Sequence, residues 1–140
     1  MNDCVFCKII NKEIVTDFLY EDKDFVAILD IAPANLGHTL IISKKHFATF
    51  DSTDDDIISK INIVAKKLAK SIIKTTNCSG YNIVINNNKS AGQMIPHLHL
   101  HIIPRTDNDD FNLEWSHKEY KDKNDMQKIL NNIKNNIDII

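Results

Sequence analysis

The residues best suited to chemistry are concentrated in one segment, His97-Leu98-His99-Leu100-His101-Ile102-Ile103. In a strand, successive side chains point to opposite faces, so the histidines are predicted to share one face while Leu98, Leu100 and Ile102 enter the core. Same-face neighbours are then about 6.6–6.8 Å apart, which lets two imidazoles reach one bound group. Because imidazole titrates near pH 6.5, one ring can be a neutral nucleophile while its neighbour donates hydrogen bonds. Taken alone, the pattern fits a metal site and phosphoryl-group chemistry equally well.

A second chemical pattern lies near the start of the chain, where Cys4 and Cys7 are separated by two residues. The chain has three cysteines, too few for a disulfide framework. The Cys-x-x-Cys spacing is that of half a tetrahedral zinc site and also that of a redox pair. The third cysteine, Cys78, belongs to neither pattern.

Hydrophobic spacing and turn residues predict the elements that position these groups. The clearest is a helix over residues 54–75, in which apolar residues recur at helical spacing and Ser52 or Thr53 is expected to provide the cap. Shorter helices are predicted at residues 6–10 and 125–137. Strands are predicted at residues 18–20, 25–29, 39–43, 81–85 and 96–104. This order predicts an α+β fold with one antiparallel sheet of about five strands and a long helix across one face.

Length and composition restrict the class of protein. A chain of 140 residues fits one domain, with residues 1–106 expected as its core and residues 107–140 as a C-terminal extension containing a helix. The 17 basic and 19 acidic residues leave a net charge of −2, which argues against a broad surface for nucleic acid. The N-terminus lacks the pattern of a signal peptide, and no apolar run reaches the roughly 18–20 residues of a membrane span. We therefore expect a cytoplasmic protein that binds neither nucleic acid nor membranes.

Several segments together resemble the histidine-triad (HIT) family, whose signature is His-φ-His-φ-His-φ-φ with φ an apolar residue. Residues 97–103 match that signature in full. The other similar segments are residues 4–10, 28–33, 37–42 and 44–46, together with Asn86 and Gly92-Gln93. The match covers roughly residues 3–105 and is nearest to the Hint-like branch, particularly its bacterial-type members with paired cysteines. It implies a HIT-like fold and a homodimer whose sheets join across the interface.

The resemblance also implies a reaction, the cleavage of purine nucleoside phosphoramidates or related esters at the α-phosphorus. His99 would attack the phosphorus to form a covalent nucleotidyl-histidine, and His101 would contact the phosphate and assist the leaving group. Asp30 would accept hydrogen bonds from the ribose hydroxyls, and His38 would support the histidine strand from behind. The remaining implied binding residues are Phe6, Ile9, Ile28 and Leu29 around the base, Ile31 and Asn86 near the ribose and phosphate, and Gly92, Gln93 and Met94 at the phosphate.

Simpler roles remain open for some of these residues. Asp30 precedes a proline-containing loop and can be a turn residue, and Asn86 can cap a strand. Phe6 and Ile9 can be core residues whether or not a base touches them. Met94 is a departure from the family, because many Hint-like relatives carry serine there and methionine has no hydroxyl to donate. The protonation route and the preferred leaving group therefore stay open.

For the metal site, bacterial-type relatives add two histidines to the paired cysteines. In this chain the implied set is Cys4, Cys7, His46 and His97, a closed Cys₂His₂ site that suits structural zinc. No cofactor would be required for the chemistry. The alternative is an empty Cys-x-x-Cys with His97 hydrogen-bonded.

Two other functions use the same residues. One is a dinucleoside-polyphosphate hydrolase, which would use the same nucleophile. The other is a nucleotide-binding regulatory protein whose catalysis is incidental. The short, Hint-like match favours the phosphoramidate reaction, and an apolar pocket would accept either adenine or guanine.

Overall fold

The computed structural model of the protein describes residues 3–137, which contain three α-helices and five strands. In chain order the elements are α1 (Val5–Ile10), β1 (Tyr20–Glu21), β2 (Phe25–Leu29), β3 (Thr39–Ser43), α2 (Asp55–Thr76), β4 (Gly80–Val84), a 3₁₀ turn (Lys89–Ala91), β5 (His99–Arg105) and α3 (Lys123–Asn135). Within residues 3–137, no helix combines the length and the apolar content needed to cross a membrane.

The strands form one antiparallel sheet in the order β1-β2-β3-β5-β4. Strand β5, which carries the histidines, is therefore held between β3 and the edge strand β4. Its register places His99 opposite Ile42 and His101 opposite Leu40. The predicted α+β fold with a five-stranded antiparallel sheet and a long helix is confirmed.

Two apolar clusters cover the two faces of the sheet. On one face, Leu98, Leu100 and Ile102 pack with the buried side of α2, as their alternation with the histidines predicts. On the other face, Phe6 and Ile9 of α1 pack on side chains of β2 and β3. The histidines therefore emerge on the face that α1 covers, and α1 forms one wall of their surroundings.

The structure corrects the predicted start of the histidine strand. The strand begins at His99 and not at residue 96. The backbone N–H of His97 turns back to the carbonyl of Ile95, at 2.8 Å, and that of Leu98 donates to the carbonyl of Phe47, at 2.6 Å. Pro96 has no N–H to give to a ladder, so the strand cannot extend regularly through it.

The predicted caps of α2 are also wrong. The N-cap residue is Asp54, and its side chain makes no capping bond. Ser52 and Thr53 instead donate their hydroxyls to the carbonyl of Thr49, at 2.9 and 2.7 Å. The preceding turn thus uses the groups that were expected to cap the helix.

Candidate functional site

The middle histidine of the triad is oriented by its own strand. Nδ1 of His99 lies 2.6 Å from the carbonyl oxygen of His97, so this nitrogen carries a proton and donates it to that oxygen. The ring of Phe6 packs edge-on against the imidazole, with 5.0 Å between centroids. Burial lowers the pKa of His99, which favours the neutral ring. A neutral ring protonated at Nδ1 keeps a lone pair on Nε2, as a nucleophile requires.

A chain of hydrogen bonds fixes the opposite arrangement on His101. The backbone N–H of Ala34 donates to Nδ1 of His38, at 3.1 Å, so a neutral His38 carries its proton on Nε2. That Nε2 lies 2.9 Å from Nδ1 of His101, which must accept. His101 then carries its own proton on Nε2, a buried atom with no hydrogen-bond partner among the described residues. The site therefore holds one unpaired N–H donor beside one free lone pair.

The protonation states agree with this assignment. Burial, with the neighbouring His99 and His38, lowers the pKa of His101 to about 4. Burial also lowers the pKa of His38, although the Asp30 carboxylate opposes the shift. Both rings are therefore neutral near pH 7, and each has one donor and one acceptor nitrogen.

Asp30 is a turn residue that also lines the cavity beside the histidines. One carboxylate oxygen accepts the backbone N–H of Ala32 at 2.9 Å, which makes it a turn residue. The other oxygen lies 3.7 Å from Nε2 of His38. The half-buried side chain also lines the cavity beside the histidines, where its oxygens are available to hydroxyl groups of a ligand.

A largely apolar cavity of about 450 Å³ opens beside these histidines. Ten of the residues implied by the family resemblance line it, namely Phe6, Ile9, Ile28, Leu29, Asp30, Ile31, Gly92, Met94, His99 and His101. The sequence reasoning missed Val5, Ile14, Val15, Thr16, Leu40 and Ile95. The pair Ile14-Val15 carried a usable sequence signal, because it is an apolar pair between the polar residues Glu13 and Thr16.

Asn86 and Gln93 lie outside the lining of this cavity. The Gln93 side chain donates to the carbonyl of Ala48 at 2.7 Å and accepts the N–H of Asn88 at 2.8 Å, so it braces the loop. Gly92 has φ +86°, and the Asn86 amide nitrogen lies 3.8 Å from where a Cβ on Gly92 would stand. The Asn86 side chain therefore lies beside Gly92, which does line the cavity.

The four predicted metal ligands converge beside the same strand. The ligand atoms of Cys4, Cys7, His46 and His97 lie within 4.8 Å of one another, so the group can hold a metal ion. Nδ1 of His97 is 3.3 Å from Sγ of Cys4 and 3.6 Å from Sγ of Cys7. Sγ of Cys7 is also 3.3 Å from Nδ1 of His46. A tetrahedral zinc ion with ordinary bond lengths would separate sulfur from nitrogen by roughly 3.6 Å, so these donors fit the ion.

His97 is prepared for ligation by its second nitrogen. Nε2 donates to the carbonyl of Ser43 at 2.6 Å, which leaves Nδ1 free to face the cysteines. Burial lowers the pKa of this ring to about 4, so it is neutral as a ligand must be. Burial and the Cys4 thiol raise the pKa of Cys7, and a bound cation would favour its thiolate.

Comparison with known sequences identifies similar proteins. The model of the family described as the HIT domain matches residues 11–108. A HIT-like protein of Methanocaldococcus jannaschii is 47% identical over 106 residues, which are 76% of this chain and 81% of that protein. An adenylylsulfatase of Arabidopsis thaliana is 42% identical and the alignment covers 77% of this chain and 55% of that protein. An adenosine 5′-monophosphoramidase of Saccharomyces cerevisiae is also 42% identical, over 74% of this chain and 63% of the yeast protein.

Solved structures extend the similarity to nearly the whole chain. A Streptococcus mutans protein aligns with a TM-score of 0.92 and 35% identity over 99% of this chain and 87% of its own. A HIT family member from Bacillus subtilis aligns with a TM-score of 0.90 and 34% identity over 99% of both chains. A zinc-bound histidine triad protein from Mycobacterium smegmatis aligns with a TM-score of 0.75 and 30% identity, over 96% and 97% of the two chains.

Proposed function

Because the chain belongs to the histidine-triad (HIT) family, we propose that it hydrolyses purine nucleoside phosphoramidates or related nucleoside monophosphate esters at the α-phosphorus. The observation that carries this proposal is the pair of proton positions on one cavity wall. His99 has a free lone pair on Nε2, and His101 has an unpaired Nε2–H. Two relatives named adenosine 5′-monophosphoramidase and adenylylsulfatase support a hydrolase of adenosine 5′-phosphate derivatives.

The geometry supports a two-step reaction. Nε2 of His99 attacks the α-phosphorus, a nitrogen–phosphorus bond forms, and the bond to the leaving amine breaks as that amine takes up a proton from solvent. The hydrogen bond from Nδ1 to the His97 carbonyl stabilises the positive charge that develops on the ring. Water then attacks the phosphorus, the bond between Nε2 of His99 and phosphorus breaks, and one proton of the water passes to solvent. This releases the nucleoside monophosphate and restores neutral His99. The Nε2–H of His101 donates to a phosphate oxygen in both steps.

The cavity supports a nucleoside as the bound portion. Phe6, Ile9 and Ile28 provide apolar contacts for a planar base without a polar group that would select one purine. The Asp30 carboxylate can accept hydrogen bonds from two hydroxyl groups of a ribose. Gly92, in the left-handed region, allows the backbone to approach the phosphate closely.

The decisive experiment is intact-protein mass spectrometry of enzyme quenched during turnover. The panel contains adenosine and guanosine phosphoramidates and a diadenosine polyphosphate. We expect a nucleoside monophosphate adduct that maps to His99, and faster turnover of the phosphoramidates. His99→Ala should remove the adduct and nearly all turnover, while His46→Ala should leave the nucleophile in place.

Three other outcomes would contradict the proposal. An adduct on another residue would overturn the assignment of His99. Preferred cleavage of the diadenosine polyphosphate would favour the polyphosphate hydrolase. Tight nucleotide binding without turnover, together with full cellular function of His99→Ala, would favour a regulatory binding role.

We also propose that Cys4, Cys7, His46 and His97 hold a structural zinc ion. This ion would cross-link the start of α1 to His46, which follows β3, and to His97, which precedes β5. It would take no part in the reaction. Donor geometry and the zinc-bound Mycobacterium smegmatis relative support it. Thiolate ligation suits a reducing compartment, so we place the protein in the cytoplasm.

The proposed assembly is a homodimer in which the two sheets join across the interface. The exposed edge strand β4 supports this arrangement, because its outer hydrogen-bonding groups face away from the sheet. The division into a core over residues 1–106 and an extension over residues 107–140 also stays a proposal.

A further inference from the structure

The loop between β2 and β3, residues 30–38, carries the backbone group that fixes the proton on the His38 ring. The N–H of Ala34 donates to Nδ1 of His38 at 3.1 Å, and the N–H of His38 donates to the carbonyl of Asn35 at 3.0 Å. These two bonds are made by consecutive residues, so a displacement of the loop at Asn35 would also move the Ala34 N–H away from the ring. The position of this loop therefore controls the donation from His38 to His101.

The side chain of Asn35 fastens this loop to the polypeptide at and beyond the end of β5. Its amide nitrogen donates to the carboxylate of Asp109 and to the carbonyl of Pro104, each at 2.9 Å. An amide nitrogen has two hydrogens, so both of its donor positions are used. Asn35 does not have a positive φ, so its backbone conformation gives no reason for an asparagine at this position. The two hydrogen bonds supply that reason.

Asp109 is held in turn by Arg105, the single arginine of the sequence. Nε and Nη2 of Arg105 donate to the two carboxylate oxygens of Asp109, at 2.8 Å each, and Nη1 donates to the side chain of Asn82 at 2.7 Å. The hydrogen bonds from Arg105 and from the Thr106 N–H hold the pKa of Asp109 well below its usual range, so the carboxylate is charged at neutral pH. A bidentate pair has a fixed geometry, so Asp109 offers Asn35 an acceptor in a fixed place.

Close packing at Gly37 restricts the loop from the opposite side. Gly37 has φ +93°, and a Cβ on it would lie 2.7 Å from Cγ2 of Thr76 and 3.3 Å from Cγ of Pro104. The loop is thus already in contact with the end of α2 and with β5, and it cannot move closer to them. The hydrogen bonds of Asn35 oppose its movement in the other direction.

We propose that Asn35 and Asp109 are positioning residues for the reaction, because they hold the Ala34 N–H on the His38 ring and thereby keep the proton of His101 on Nε2. Both residues lie outside the lining of the cavity beside the histidines, so they act through His38 and make no contact with the substrate. The effect on turnover rests on the proposed function. The effect on the proton of His101 can be measured without turnover.

Nitrogen NMR of the full chain, with its histidine rings labelled, tests the effect on the proton directly. A ring nitrogen that carries a proton resonates apart from one that does not, so the spectrum reports the tautomer of each imidazole. In wild type at pH 7 we expect His101 to be protonated at Nε2 and His99 at Nδ1. Asn35→Ala should shift both nitrogens of His101 towards the average of the two tautomers and leave those of His99 unchanged. Unchanged nitrogens of His101 would overturn the inference.

Asn82→Ala is the matched control, because it removes one hydrogen bond of Arg105 and leaves the bonds of Asn35 in place. We expect its His101 spectrum to match wild type, even where its melting temperature falls as far as that of Asn35→Ala. Equal changes at His101 in the two variants would show a general loosening of the structure and would contradict the inference.

Asp109→Asn tests the same contact from its other end, and it serves in place of Asn35→Ala if that variant does not fold. The substitution keeps the shape of the side chain and removes the charge that Arg105 and Asn35 both contact. The nitrogens of His101 should shift in the same direction as in Asn35→Ala. A spectrum identical to wild type would overturn the inference.

Steady-state kinetics with an adenosine phosphoramidate test the effect on the reaction. Asn35→Ala should lower kcat roughly threefold to tenfold, as for the weakening of one hydrogen bond, and change KM by less than about twofold. In a His38→Leu background the same substitution should lower kcat by less than about twofold, because its effect passes through the His38 ring. Losses that multiply in the double variant would show that Asn35 does not act through His38, and would overturn the inference.

The two measurements separate this inference from the proposed function. A wild type with the expected His101 tautomer and no turnover would overturn the proposed function alone, and the spectra of the variants would still test the control of the His101 proton. A shifted tautomer in Asn35→Ala with unchanged kcat would overturn the positioning role. A wild type with His101 protonated at Nδ1 would overturn both proposals.

Discussion

Nε2 of His38 lies 2.9 Å from Nδ1 of His101, and this contact determines which nitrogen of His101 carries the proton. Because the Ala34 N–H occupies Nδ1 of His38, only Nε2 of that ring can donate. His101 is thereby left with its donor on Nε2, which has no hydrogen-bond partner within residues 3–137. The backbone amide of Ala34 thus specifies, through the ring of His38, the proton position on His101.

Replacing His38 tests whether its hydrogen bond to Nδ1 of His101, the last step of a relay that begins at the Ala34 N–H, contributes to turnover. His38→Leu removes the donor to Nδ1 of His101. The His101 ring can then adopt the other tautomer, in which Nε2 has a lone pair that repels a phosphate oxygen. We expect kcat/KM for a nucleoside phosphoramidate to fall roughly tenfold or more, as for the loss of one well-placed hydrogen bond. His38→Gln, whose amide N–H can donate, should retain more activity than His38→Leu.

His117→Leu is the control for the loss of an imidazole, because His117 is exposed and does not line the cavity beside the histidines. Melting temperatures of all three variants separate catalytic from structural effects. If His38→Leu and wild type showed the same kcat/KM, the relay would have no role in turnover.

The local elements were predictable because their signals are local. The helical spacing of apolar residues placed α2 within one residue of its observed bounds, and β3 coincides with residues 39–43. Alternation placed Leu98, Leu100 and Ile102 in the core, on the face away from His99.

The remaining features depend on contacts between distant segments. The start of β5 at His99 reflects the donation of the Leu98 N–H to the carbonyl of Phe47, 51 residues earlier, which no local pattern encodes. The relay from His38 to His101 depends on the pairing of β3 with β5. The roles of the individual site residues stay predictions.

Loss of one cysteine from the metal cluster should remove the zinc ion and lower the thermal stability. Cys4→Ala removes one of four ligands and should lower bound zinc from about one per chain to near zero. If the ion cross-links α1 to the start of β5, we expect the melting temperature to fall by roughly 5–10 °C. Cys78→Ala should change neither quantity, because Cys78 lies outside the cluster. Metal analysis and thermal melts are compared after purification in zinc-containing buffer, and equal behaviour of the two variants would remove the site.

Met94 should influence the leaving group and leave the nucleophile unaffected. It is 90% exposed at the cavity wall, and its thioether cannot donate a proton. Met94→Ser adds a hydroxyl that can donate to a departing amine or alkoxide. We expect kcat to rise several-fold for substrates with poorly acidic leaving groups and to change little for good ones. The free energy of unfolding should move by less than about 0.5 kcal/mol.

Met94→Ala is the matched control, since it removes the same bulk without adding a hydroxyl. The measurement is the dependence of log kcat on the pKa of the leaving group across a phosphoramidate series. A serine variant with the same slope as the alanine variant would show that position 94 does not take part in protonation.

His101 should also make stability depend on pH. In the folded protein its pKa is lowered to about 4 by burial and by the neighbouring His99 and His38, with Asp30 opposing. In the unfolded chain a histidine titrates near 6.5, so between pH 6.5 and 4 the unfolded state binds more protons than the folded state. The free energy of unfolding should therefore be highest above pH 6.5 and fall as the pH decreases towards 4. For this group the loss is on the order of 2 kcal/mol.

Urea unfolding at pH 7, 6, 5 and 4.5 is compared between wild type and His101→Gln, so that contributions from the metal cluster and from the acidic residues cancel. The variant should lose less stability than wild type over this interval, and parallel curves would contradict the assigned neutrality of His101.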